Sequence, residues 1–82
     1  MIQEFLDNNI LVKNAMDSIK EYLYSKGVIE INFHILEETN TLFFDITFDS
    51  EVDFINFSKD YQRFIIKNHK NILGKTNLKQ LH

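Results

Sequence analysis

Two stretches of alternating apolar and polar residues, joined by a short turn, constrain the fold of this chain more than any other feature. Every second residue is apolar in residues 28–36 and 41–49: Ile29, Ile31, Phe33 and Ile35 in the first, and Leu42, Phe44, Ile46 and Phe48 in the second. The residues between them, EETN, are typical of turns. The pattern predicts an antiparallel β-hairpin with one buried face and one mainly polar face.

Helical periodicity on both sides of the hairpin predicts a helix over residues 2–26 and another over residues 51–73. Each has one apolar face for the core: Phe5, Val12, Ala15, Met16, Ile19 and Leu23 in the first, and Phe54, Phe57, Tyr61, Phe64 and Ile65 in the second. The polar residues DNN at 7–9 are a weak point in the first predicted helix. The alternative is a shorter helix that begins near Asn9, with the first residues forming a separate turn. SEVD at 50–53 resembles a capping box at the start of the second. Residues 74–82 are short and polar, and we predict a flexible tail there.

These elements predict a single α+β domain over residues 1–82, with the order α-β-β-α in two layers and both helices on one face of the hairpin. A two-stranded sheet has two open edges and is marginal in water. We therefore expect a homodimer in which two hairpins join into a four-stranded sheet about a two-fold axis. The alternative is a monomer whose edges are guarded by Glu30, Asp45 and Asp49, or covered by the tail.

Some apolar residues lie outside the predicted core faces. Ile55, Ile66 and Leu73 form a narrow second line on the second predicted helix, and Phe43 with Leu36 forms a small apolar patch on the outer sheet face. We predict that these five residues are interface candidates for a subunit or another partner. For Ile55, Ile66 and Leu73, the alternative is that they pack against the N-terminal segment or the tail.

Charge is distributed unevenly along the chain. Residues 1–58 hold eleven acids and three lysines, a net charge of −8, whereas residues 59–82 hold six basic residues and one acid, a net charge of +5. At the start of this basic region, a stripe follows one helical face: Lys59, Arg63, Lys67 and Lys70. Such a row suits phosphate backbones or acidic proteins, and a solvated lysine face is the alternative.

Residue types that carry chemistry are few in this sequence. The chain has no cysteine, so disulfides and thiolate metal sites are excluded. His34 is predicted to lie across the hairpin from Asp45 or Phe43, as a polar pair without an adjacent nucleophile. Asp45, Asp49, Glu51 and Asp53 cluster in sequence but lack the spacing of a calcium loop, and a helix N-terminus gives them a local use. We predict no catalytic residue, metal or cofactor.

Three functions remain, in the following order. The first is a small acidic protein-binding module without enzymatic activity: a regulator, an inhibitor or immunity-type protein, or an accessory subunit. The second is a nucleic-acid binder that uses the basic stripe, and the third is an enzyme whose site forms only at a dimer interface. The longest apolar runs are too short for a membrane span, and the N-terminus is acidic where a secretion signal is basic, so we predict a cytoplasmic protein.

Overall fold

A computed structural model describes residues 2–81, and within that range the chain forms three α-helices and a three-stranded mixed sheet, an α+β fold. The elements are α1 (Ile2–Asn8), α2 (Ile10–Ser25), β1 (Val28–Leu36), β2 (Thr41–Phe48), α3 (Phe54–Asn68), a 3₁₀ turn (Lys70–Ile72) and β3 (Thr76–Gln80). The strand order is β1-β2-β3. The predicted order α-β-β-α is therefore incomplete.

The predicted hairpin is present, with β1 antiparallel to β2 and with Phe33 opposite Phe44. The prediction for Ile29 is wrong. A bulge between Val28 and Glu30 shifts the register, so Val28 takes the buried position and Ile29 is 56% exposed. The alternation therefore holds only from Glu30 onward in β1.

The predicted flexible tail is wrong. Residues 76–80 form β3, which pairs in parallel with β2 and places Leu78 opposite Phe44. Backbone hydrogen bonds flank the strand at both ends, from Leu42 N to Lys75 O (2.9 Å) and from Leu81 N to Ile46 O (2.8 Å). β2 thus becomes the central strand, and the predicted two-stranded sheet is also wrong.

The single helix predicted over residues 2–26 is wrong as well, because it breaks at Asn9, within the weak point at residues 7–9. The Asn9 side chain donates to the carbonyl of Phe5 (2.8 Å), and its own amide bonds the carbonyl of Leu6 (3.2 Å). Asparagine side chains compete with helical hydrogen bonds in this way. At the other end of α2, Gly27 adopts a φ of 98°, which favours glycine after a helix.

The predicted helix over residues 51–73 is shorter in the structure, Phe54–Asn68. The capping residue is Asp53 rather than Ser50, because the Asp53 carboxylate accepts a hydrogen bond from the amide of Asn56 (3.2 Å). After Asn68, the chain turns through the 3₁₀ segment and Gly74 (φ 84°) toward β3. A helix continuing to residue 73 would leave too little chain for this turn.

The core lies between the helices and one face of the sheet. Its central strand residues are Leu42, Phe44 and Ile46, all fully buried. The helices supply the other layer of the core: Phe5, Val12, Ala15, Met16, Ile19, Leu23, Tyr61 and Ile65, with Phe54, Phe57 and Phe64 packed against it. The predicted apolar faces of both helices are therefore confirmed, and no helix within residues 2–81 covers the opposite face of the sheet.

Candidate protein-binding surfaces

A groove of about 630 Å³ lies where the C-terminal part of α3 and the start of β3 meet the end of the hairpin. Its lining includes Leu36, Phe43, Ile66 and Leu73, four of the five interface candidates taken from the sequence. The fifth candidate, Ile55, is not among the lining residues. The structure therefore brings together apolar residues from a strand end, a central strand, a helix and a turn, and we call this feature the apolar groove.

Several apolar side chains of the groove are open to solvent. Ile66 is 50% exposed, and Leu36 and Leu73 are exposed to a similar degree. Ile55 is 70% exposed on the same helix but stands apart from the groove. Scattered exposed apolar residues are normal on a protein surface, whereas several that line one concavity are typical of a binding site.

The base of the groove is held by a buried hydrogen bond between Tyr61 and Thr76, whose hydroxyl oxygens are 2.7 Å apart. Burial raises the pKa of Tyr61 well above its usual value, and the bond to Thr76 opposes only part of that rise. The pair joins α3 to β3 and fixes the groove wall. Sequence reasoning missed both residues as groove residues, because it placed Tyr61 in the core and Thr76 in the tail.

The basic stripe is only partly assembled. Lys59, Arg63 and Lys67 lie on the exposed side of α3, whereas Lys70 lies beyond the helix end, in the 3₁₀ turn. The prediction that all four share one helical face is therefore wrong. Arg63 also pairs with Asp60 at 2.8 Å, both largely exposed, so part of its charge is offset.

None of the remaining basic residues lines the apolar groove, but two of them lie on the side of α3 that carries Ile66. Arg63 and Lys59 lie three and seven positions before Ile66 on α3, and Lys67 follows Ile66 directly. Residues three or seven positions apart share a side of a helix. Lys59 and Arg63 therefore place positive charge beside the α3 wall of the apolar groove, whereas Lys67 lies about 100° further round the helix.

A second group of interacting side chains, centred on His34, lies on the uncovered face of the sheet. His34 Nδ1 lies 2.8 Å from Asp45 Oδ2, and the imidazole stacks on Phe43 with ring centroids 5.1 Å apart. Both predicted neighbours of His34 are thus in contact with it. The Asp45 side chain is only 16% exposed, and its Oδ1 has no hydrogen-bond partner within residues 2–81. The described contacts place no serine hydroxyl beside the imidazole.

The four acids near the end of β2 do not converge. Asp45 pairs with His34, and Asp53 caps α3 through Asn56. Within the described range, no three His, Asp or Glu residues are grouped so as to hold a metal ion. In the same range, no helix has the length and apolarity that a bilayer crossing requires.

Comparison with models of protein families, with curated proteins and with solved structures finds no match to this chain. The assignment of function therefore depends on the surfaces described above.

Proposed function

We propose that this chain is a small protein-binding module without enzymatic activity, and that the apolar groove is its binding surface. The convergence of Leu36, Phe43, Ile66 and Leu73 on one concavity carries the proposal. Each residue is a candidate on sequence pattern alone, but only their common location gives a surface that a partner can fill. A regulator, an inhibitor or an accessory subunit requires such a surface and no reacting group.

The charge beside the apolar groove favours a partner segment that is both apolar and acidic. Lys59 and Lys67 make no ion pair within residues 2–81, so they are available to a carboxylate. Apolar side chains of the segment would enter the groove, and its acids would lie along α3. Complementary charge of this kind raises the rate of association and selects among partners. The acidic first part of the chain would repel the same segment elsewhere on the surface.

Two isoleucines on α3 provide a matched test. Ile66→Glu places a charge inside the apolar groove, whereas Ile55→Glu places the same charge on the same helix outside it. Wild-type protein and both variants are used as baits in parallel captures, after circular dichroism shows that all three are folded. A protein retained by the wild type and Ile55→Glu but lost with Ile66→Glu supports the proposal. Retention by all three baits excludes the groove as the binding surface.

Self-association is a further part of the proposal. One copy already has three strands, so two copies joined at their sheet edges would form six strands rather than four. The edge of β2 is occupied by β3, which leaves β1 and β3 as the outer strands.

We also propose a cytoplasmic location.

Nucleic-acid binding is the second candidate, and the exposed position of Lys59 and Lys67 on α3 favours it. A gel-shift assay at two salt concentrations with the double variant Lys59→Glu/Lys67→Glu tests it, because phosphate contacts weaken steeply with salt. A salt-sensitive shift that the variant loses would favour this function over protein binding.

A further inference from the structure

The outer edge of β1 is an open strand edge nine residues long. β1 has β2 on one side and no strand on the other within residues 2–81, so its outward amide and carbonyl groups are available for pairing. The bulge at Ile29 interrupts the regular strand near its start. A second strand can therefore pair with the regular part, which begins at Glu30.

A second copy of β1 is a candidate to pair there, and two-fold symmetry restricts how it can do so. In an antiparallel pair about a two-fold axis, one residue lies opposite its own copy, and the residues on either side are exchanged. Directly opposed side chains lie on the same face of the sheet. The choice of register is therefore a choice of the residue on the axis.

Charge distinguishes the possible registers. With Asn32 on the axis, Glu30 of each copy lies opposite His34 of the other, twice in the interface. With Phe33 on the axis, Glu30 lies opposite Leu36, and with His34 on the axis, Glu30 lies opposite Glu38. With Ile31 on the axis, Glu30 lies opposite Asn32. A carboxylate opposite an imidazole can form a hydrogen bond with it, whereas two carboxylates opposite each other repel, so the register centred on Asn32 is favoured.

The side chains around His34 suit this register. His34 Nδ1 is already engaged by Asp45, which leaves Nε2 for the carboxylate of a second Glu30. An imidazolium donates from both nitrogens, so it would bond both carboxylates. On the opposite face, Ile31 of one copy would lie against Phe33 of the other. Both are partly buried against the core, and pairing would cover apolar surface that remains open at the edge.

We propose that two copies of this chain pair through β1 in antiparallel orientation with Asn32 on the two-fold axis, which gives a continuous six-stranded sheet. The register rests on the self-association proposed above and is independent of the apolar groove. The paired segment, Glu30 to His34 in each copy, is short, so the dimer is weak and forms at high protein concentration.

The lack of cysteine makes single-cysteine variants a direct probe of the register. Opposed residues in an antiparallel pair have Cα atoms about 4.5–5.5 Å apart, within the reach of a disulfide. Asn32→Cys should therefore cross-link under mild oxidation. Glu30→Cys, tested at a concentration at which sedimentation shows that it still dimerises, is the control, because the two copies of residue 30 would be four positions, or about 14 Å, apart.

Sedimentation across a concentration series measures self-association separately from the register. We expect a concentration-dependent dimer that Glu30→Gln weakens by about tenfold and that Glu38→Gln, at the hairpin turn, leaves unchanged. A dimer that cross-links through Glu30→Cys and not through Asn32→Cys would overturn the register while self-association stands. A monomer at every concentration would overturn both.

Discussion

Replacement of Leu78 by alanine tests whether β3 is part of the core. Leu78 is 5% exposed, lies opposite Phe44 and belongs to the buried cluster. Truncation of a buried leucine to alanine removes apolar contacts and leaves a cavity, at a cost of about 2–5 kcal/mol. We expect a loss of this size in the free energy of unfolding.

The expected loss is large relative to the total stability of the chain. At the usual stability per residue, a protein of 82 residues has a free energy of unfolding of about 4–12 kcal/mol. For the slopes usual in urea, the midpoint of unfolding should fall by about 2 M. Leu78→Ala should therefore unfold at a much lower urea concentration than the wild type.

Lys79→Ala is the matched control, since Lys79 is the next residue on β3 and its side chain is exposed. Its effect should stay within about 0.5 kcal/mol. Urea unfolding of the three proteins is followed by circular dichroism and by tyrosine fluorescence. Equal midpoints for both variants would mean that residues 76–80 do not pack on β2, and the three-stranded sheet would have to be abandoned.

Three further predictions concern buried or capping polar groups. Tyr61→Phe and Thr76→Val should each cost about 1–3 kcal/mol by leaving a buried hydroxyl unpaired, and the double variant should cost less than their sum. Because burial raises the pKa of Tyr61, its stabilisation should be complete below about pH 10 and lost as pH rises above it, measured as the stability difference from Tyr61→Phe. Asp53→Ala should cost about 1 kcal/mol by removing the cap of α3.

Each of these predictions has an outcome that contradicts it. Additive losses at Tyr61 and Thr76 would show that the two hydroxyls are not coupled. A difference between wild type and Tyr61→Phe that is constant from pH 8 to 11 would contradict the burial of the phenol. If Asp49→Ala, a change at a nearby exposed acid, costs as much as Asp53→Ala, the loss reflects general charge rather than capping.

The hairpin and the core faces of the helices were predictable because their periodicity is local and supported by many apolar residues. Ile29 was not, because a bulge shifts the pairing by one residue without changing the apolar pattern. The helix breaks at Asn9 and Asn68 depend on asparagine side chains that bond nearby carbonyls. Asparagine in these positions indicates a weak point but does not show which bond forms.

β3 could not be predicted with the same criteria, because Leu78 is its only large apolar residue. The alternation of Thr76, Leu78 and Gln80 is a weak signal, and the partner strand lies on the far side of α3 in sequence. The apolar groove was predictable in its residues but not in its assembly. Ile66 and Leu73 are apolar and off the core face in sequence, but they approach Phe43 only because β3 docks beside β2.

The parallel placement of β3 also has a consequence for synthesis of the chain. β1, β2 and α3 emerge from the ribosome before residues 76–80 do, so nascent chains expose the edge of β2 that β3 later occupies. An exposed edge beside an unfinished core is prone to intermolecular pairing. Chains that end before residue 76 should therefore aggregate more readily than chains that contain β3.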